Sequence, residues 1–416
     1  MSNVLIIGAG YAGLTAGWQA AKRGHNVHVI AKGWGATHWL SGCVDVLGYQ
    51  PLDNEEAVIS PAAALAQLVA DHPQHPYALI GPETLSEALA ALCELSAAKG
   101  YPLQGTLDQN WLLPSGVGVP RPTCLAPETM IAGDMRRSDS MLIVGFTHFN
   151  DFHAKLIADN INSFGIPATH VTLDLPTLGE RLFTNPTILA LLMEQPAFRQ
   201  EMLVALRPHL GQAARIGFPS VMGQQVNLKV KEALERELQR PVFEIPTLTP
   251  SIPGMRLQHL LVDAIRETGS RVTPSMEVLE SKKENGRVST VYSETPTRQM
   301  PHRADHFILS TGGILGGGIV TDHAGHVRET IFDLPVNAPD GHHNWFYRDF
   351  MDQRGHPIYR SGIVVNDHFQ PVGDHAQPLY ENLTCIGTTL AHAEVIRERS
   401  FEGVAIGSGY AAAQML

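Results

Sequence analysis

The chain opens on an uninterrupted apolar run, Val4 to Ile7, followed by glycines at Gly8, Gly10 and Gly13 and by a second apolar run, Val27 to Ile30. Continuous apolar stretches of four or five residues predict parallel strands buried on both faces. The glycine-punctuated segment between them predicts a tight turn into a helix. Further on, apolar residues at three- and four-residue spacing predict helices from Ala62 to Ala70 and from Glu83 to Ala98. A new α/β pattern begins at Ser140: MLIVGF reads as a buried strand, Asp151 to Phe164 as an amphipathic helix and Ala168 to Leu175 as a strand. A second strand, helix and strand follow at Ala214 to Pro219, Leu228 to Gln239 and Val242 to Ile245, placing the two sets on one sheet.

After the proline-rich PTLTPSIPG the pattern returns to a helix, Met255 to Thr268, and to a hairpin, Met276 to Lys282 with Arg287 to Ser293, turned at Asn285 and Gly286. Phe307 to Leu309 and Asn382 to Gly387 read as strands ending in glycine turns, and Gly403 to Met415 as a closing helix of small residues. These elements predict a discontinuous organisation. A cofactor-binding domain takes residues 1–50, 254–330 and 376–416, with a covering region of α/β units at 51–253 and a loop-rich segment at 331–375. Neither a repeat nor a low-complexity linker interrupts it.

The N-terminal glycines have separate physical duties. Gly8 allows the tight turn, Gly10 lets backbone approach a pyrophosphate, and Gly13 lets the helix pack against the strand. The helix N-terminus then offers N–H groups and the positive end of its dipole to the anion. Gly17 keeps the helix slim across the sheet, with Ala12, Ala16, Ala20 and Ala21 extending the small-residue face. One element of the dinucleotide pattern is missing. The acidic residue that grips the adenosine ribose at the end of the second strand is replaced by Ala31. Lys32 beside it reads either as a ligand for a 2'-phosphate or as a solvated lysine. The adenosine is therefore held differently, or the ligand has none, as in FMN.

Composition narrows the class. The 416 residues are 44% hydrophobic and 17% charged, with 38 glycines and 28 prolines, enough for two or three domains with a sizeable core. A formal net charge of −11 argues against phosphate-backbone binding, so no nucleic-acid partner is expected. Cys43, Cys93, Cys124 and Cys385 form no CxxC, and no histidine shows metal-ligand spacing, so neither a cluster nor another metal site is expected. No leader segment and no apolar run long enough to span a bilayer are read, which predicts a cytoplasmic protein that meets the inner membrane only through a partner.

The two ends of the chain together favour a flavin over a nicotinamide. Thr311 and Gly312, with Gly313, form a turn where backbone can lie close to a cofactor, and Gly387, Gly403 and Val404 bring a last strand and helix towards it. With Gly8, Gly10, Ala12, Gly13 and Lys32, and with Ser41 and Gly42 in the loop after the second strand, these are the expected cofactor-binding positions. The fold class expected is α/β, a Rossmann-like two-dinucleotide-binding-domain flavoprotein with an inserted α/β cap domain.

The segments HWLSGCVDVL from His38, HPYALIGP from His75, LIVGFTHFNDFHAKLIA from Leu142 and IPTLTPSIPGMRLQ from Ile245 carry a resemblance over nearly the whole chain. They resemble the family of B-type flavoprotein subunits of anaerobic glycerol-3-phosphate dehydrogenase. The resemblance implies a flavin subunit, with FMN by family and FAD by motif. It also implies an FAD-bearing catalytic subunit and a membrane-anchoring iron–sulfur subunit as partners, and glycerol 3-phosphate as substrate. The chain departs from its relatives at HAEVIRERSFEGVAIG, where Arg397, Glu398, Arg399 and Phe401 occupy the approach to the closing helix. Each arginine reads as a contact for substrate or flavin, or as a surface charge.

Candidate polar residues for catalysis are His38, Arg328 and Arg397. His38 reads as a hydrogen-bonding neighbour of the flavin, a covalent attachment point or a packed loop histidine. Arg328, His342, His343, His356 and Arg360 crowd a loop-rich stretch where charge can meet a phosphate or carboxylate. Three functional readings stand at this point: a flavin subunit of the complex, a free-standing FAD-dependent oxidoreductase, or an inert scaffold within the complex.

Overall fold

A computed structural model describes residues 1–50, 56–179, 183–294, 298–373 and 376–416. The expected domain boundaries at residues 51 and 375 lie outside the described residues. The chain divides into two compact units, one of residues 1–36, 45–91 and 261–416, the other of residues 37–44 and 92–260.

The first unit is built on a five-stranded parallel sheet. β1 (Asn3–Ile7) lies between β2 (Asn26–Ile30) and the strand His306–Leu309; Arg271–Thr273 flanks β2 and Leu383–Cys385 takes the other edge. The apolar runs fill the middle because both faces are covered, and Ile6, Val29 and Ile308 are fully buried. α1 (Tyr11–Lys22) and the closing helix Phe401–Gln414 are buried over almost their whole surface, as all-round apolar or small faces demand. A Cβ at Gly409 would meet the backbone of Ala12 and Ala16, so the small residues are what lets these two helices approach.

Residues 45–91 cluster with this unit rather than with the rest of the expected covering region. His75 caps the short helix Pro76–Ile80, Tyr77 donates its hydroxyl to the Val46 carbonyl, and Gly407 of the closing helix packs on Ile80 and Leu85. An antiparallel three-stranded sheet follows, Val278–Glu284, Arg287–Glu294 and Gln299–His302, with Asn285 and Gly286 both in the left-handed region that the tight turn needs.

The second unit has its own four-stranded parallel sheet, ordered Val242–Ile245, Arg215–Pro219, Met141–Phe146, Ala168–Leu173, so the two strand–helix–strand sets do share one sheet. Its core joins these strands to the helices Pro186–Met193 and Pro196–Leu206. Asn185 starts the first of these helices, its side chain accepting the Ile188 N–H at 2.9 Å. Glu244 sits buried within the strand VFEI; its carboxylate accepts the Met222 N–H at 2.7 Å and pairs with Arg256 at 2.7 Å.

Candidate active site at the ends of the first sheet

The glycine loop runs from the end of β1 over the neighbouring strand ends. Gly8 (φ +118°) donates its N–H to the Ile30 carbonyl at 2.8 Å, and the Ser310 hydroxyl, at the end of His306–Leu309, binds the carbonyls of Ile7 at 3.0 Å and Gly8 at 3.1 Å. A Cβ on Gly8 would overlap Ser310, and one on Gly13 would overlap the Gly8 carbonyl. These two positions are closed by the protein's own backbone. Gly10 is the opposite: a Cβ there would find nothing within 4 Å.

Gly10 also caps α1 without a side-chain hydrogen bond, and no acidic residue stands in the first turn. The positive end of this dipole therefore faces open space with no carboxylate of its own first turn competing for it. Across the cradle, Thr311 leads into Gly312 (φ +88°) and Gly313 (φ +60°), and the Gly312 N–H is held by the Thr389 hydroxyl at 3.3 Å. The Thr311 hydroxyl is buried with no hydrogen-bond partner. A recess of about 380 Å³ opens beside this turn, lined by Gly312, Ser361, Thr388 and Val404. An open phosphate-sized space at a helix N-terminus and an orphaned hydroxyl at the facing turn fit the phosphate-bearing chain of a flavin nucleotide.

The other expected cofactor positions fall as follows. Ala12 packs against the turn of Gly387, whose Cβ would lie 2.8 Å from that of Ala12, while the Gly387 N–H is taken by Ser408 Oγ at 2.9 Å. The Gly403 N–H donates to the Asp45 carbonyl at 2.9 Å and that of Val404 to the Ser400 carbonyl at 2.9 Å. Lys32 is exposed and paired with Glu277 at 2.9 Å. Ser41 and Gly42 belong to the second unit, Ser41 accepting a hydrogen bond from Arg121 and Gly42 lying against Pro253.

His38 is also in the second unit, with Nε2 at 3.4 Å from Gln258 Oε1. Arg328 is exposed on the Val327–Glu329 strand. Arg397 is half-buried and donates to the Asp352 carbonyl at 2.6 Å, and Arg399 pairs with Asp45 at 3.3 Å. Glu398 is buried; burial pushes its carboxyl up, but hydrogen bonds from His75 at 3.1 Å and Ser400 at 2.8 Å outweigh that and hold it below the usual range. His356 uses both ring nitrogens inside its loop, to Tyr347 and Phe350. Sequence reasoning misses Ser310, Thr389 and Ser408; the hydroxyl-rich STGG and GTT strings are the local signal for the first two.

The sequence pattern of the FAD binding domain family matches residues 3–400. The chain belongs to this family. The match is to FAD binders and gives the FMN expectation no support. Within the family the chain groups with proteins named as the B-type subunit of anaerobic glycerol-3-phosphate dehydrogenase. It is 32% identical to the probable one of Halobacterium salinarum, over 99% of this chain and 96% of that relative. It is 29% identical to the one of Pectobacterium atrosepticum, over 100% and 98%. A solved 3-ketosteroid delta1-dehydrogenase from Sterolibacterium denitrificans aligns over 99% of this chain and 98% of its own, with a TM-score of 0.45 at 11% identity, too slight a likeness to bear on function. Among the described residues no helix is long and apolar enough to cross a membrane.

Proposed function

We infer that the chain is an FAD-dependent dehydrogenase subunit that serves the oxidation of glycerol 3-phosphate to dihydroxyacetone phosphate, passing electrons through an iron–sulfur partner towards quinone. The observation that carries this reading is the cradle over Gly10, open at a helix N-terminus whose first turn holds no acidic residue. The names of the full-length relatives supply the substrate and the complex. A bound FAD supplies the ring that accepts a hydride and gives up electrons.

The chain's own residues do the holding. Gly8 and Gly13 bring α1 to the end of β1 so that its first-turn N–H groups meet the pyrophosphate, and Thr311 with Gly312 closes the other side of the nucleotide. Arg328, exposed on its strand, is the cation we assign to the substrate's phosphate, whereas Arg397 and Arg399 tether the turn that leads into the closing helix. His38 is assigned as a neighbour of the flavin.

The test uses the full chain purified under anaerobic conditions. Acid should release FAD, identified by mass, and glycerol 3-phosphate should bleach the bound flavin. Release of FMN, or of no flavin, overturns the reading. FAD that stays oxidised when glycerol 3-phosphate is added assigns substrate oxidation to another subunit and leaves this chain an electron carrier.

A further inference from the structure

The missing carboxylate at position 31 has a replacement close by in space. The strand Arg271–Thr273 runs parallel to β2, with Thr273 opposite Ile30. Beyond Thr273 the chain turns through Ser275, a non-glycine residue at φ +59°, and crosses the end of β2. The Ala31 N–H donates to the Thr273 carbonyl at 3.2 Å, and the Met276 N–H donates to the Ala31 carbonyl at 2.8 Å. Both backbone groups of Ala31 are thereby bound by the segment that carries Glu277. The Glu277 carbonyl in turn accepts the Glu294 N–H at 2.8 Å, so the backbone is fixed on either side of this residue.

The Glu277 side chain reaches Lys32, with Oε1 2.9 Å from the ammonium. A carboxylate offers about four acceptor directions across its two oxygens, and one lysine leaves the others available. The place is the right one for a ribose. The adjoining Ile30 carbonyl receives the Gly8 N–H, so the end of β2 and the phosphate loop are in direct contact. A 2'-phosphate is disfavoured here, because it would meet the Glu277 carboxylate beside Lys32.

We propose that Glu277 grips the ribose hydroxyls of the cofactor's adenosine, replacing from the neighbouring segment the carboxylate that β2 lacks. This rests on the FAD reading above. It makes FAD the cognate flavin despite Ala31, since FMN has no adenosine for Glu277 to hold, and it gives Lys32 the task of orienting the carboxylate.

The experiment is a titration of flavin-free full-length protein with FAD and with FMN, read by quenching of flavin fluorescence and by the rise in melting temperature, for the wild type and for Glu277→Gln. Wild type should bind FAD more tightly than FMN. Glu277→Gln should weaken FAD about 10- to 100-fold, the worth of a hydrogen bond to a charged group, and leave FMN unchanged. Glu277 is partly exposed, so the melting temperature of the flavin-free variant should match the wild type. An unchanged FAD affinity in Glu277→Gln, or an equal loss for both flavins, overturns the proposal while leaving the FAD reading intact. A wild type that binds neither flavin overturns both.

Discussion

The two parallel sheets treat the ends of their strands in opposite ways. Ligands of open α/β sheets gather at the carboxyl ends of strands. In the first unit that edge carries a glycine cradle with empty space above Gly10 and a buried, unpartnered Thr311 hydroxyl. In the second unit the corresponding edge is filled by the protein's own side chains. Glu244 accepts the Met222 N–H and pairs with Arg256, Glu194 accepts the N–H groups of Gln224 and Gln225, and Arg256 also donates to the Gly223 carbonyl. Internal carboxylates sit where the first unit leaves room for an external anion. Similar strand-end geometry thus makes a binding site in one place and a structural plug in the other, and the difference lies in whether the backbone donors are already satisfied.

That contrast breaks most visibly at Arg256. Burial works against its guanidinium, but Glu244 and Tyr101 outweigh it and hold the group above its ordinary range. Arg256→Met should strand the Glu244 charge and cost about 3–5 kcal/mol, measured by urea unfolding, whereas the double change Arg256→Met with Glu244→Leu should recover most of that loss. A double variant no more stable than the single one would show that the pair is not a plug.

In the first unit Gly13→Ala forces a Cβ onto the Gly8 carbonyl, and the overpacking should cost about 1–3 kcal/mol together with loss of bound flavin. Gly10→Ala separates the two effects. Its φ of −78° suits alanine and its Cβ meets no protein atom, so the flavin-free melting temperature should hold while flavin affinity drops about tenfold. A fall in melting temperature with unchanged affinity would place the phosphate elsewhere.

The smallest expected effect is one of pH. His28 on β2 is pushed down to about 4, first by burial and then by Arg271 and His302, and hydrogen-bonds Thr273 at 2.9 Å. The unfolded chain takes up a proton near the ordinary value of about 6.5 while the folded one does not. Stability should therefore fall as pH drops from about 6.5 towards 4 and then level off. His28→Gln should flatten that part of the melting-temperature profile if the strand leading to Glu277 is held as described.

Much of this is legible locally. The strand, glycine turn, helix and strand at the N-terminus, the Asn285–Gly286 hairpin and the second unit's strands each carry their signal within a dozen residues. The Asn185–Pro186 and Gln195–Pro196 helix starts are local signals of the same kind. The rest depends on residues far along the chain. Arg271–Thr273 is three residues long and mostly polar, so only its register against β2 makes it a strand and brings Glu277 to Lys32. Glu244 looks like an ordinary polar position in VFEI until Arg256 is seen beside it. The grouping of residues 45–91 with the first unit rests on contacts of His75 and Tyr77 that no local pattern encodes.

The Ser310 hydroxyl that closes the cradle bonds to Ile7 and Gly8, 303 and 302 residues earlier in the chain. At about 5–20 residues per second, a ribosome takes roughly 15–60 seconds to deliver that partner. During this interval β1 waits without its neighbour on one side, an exposed edge of the kind that invites aggregation. The cofactor cannot guide the start of folding, because its seat does not yet exist, and loading is the last act of synthesis. Cells making this chain while short of flavin would accumulate a finished but empty fold, sensitive to proteolysis at its strand ends.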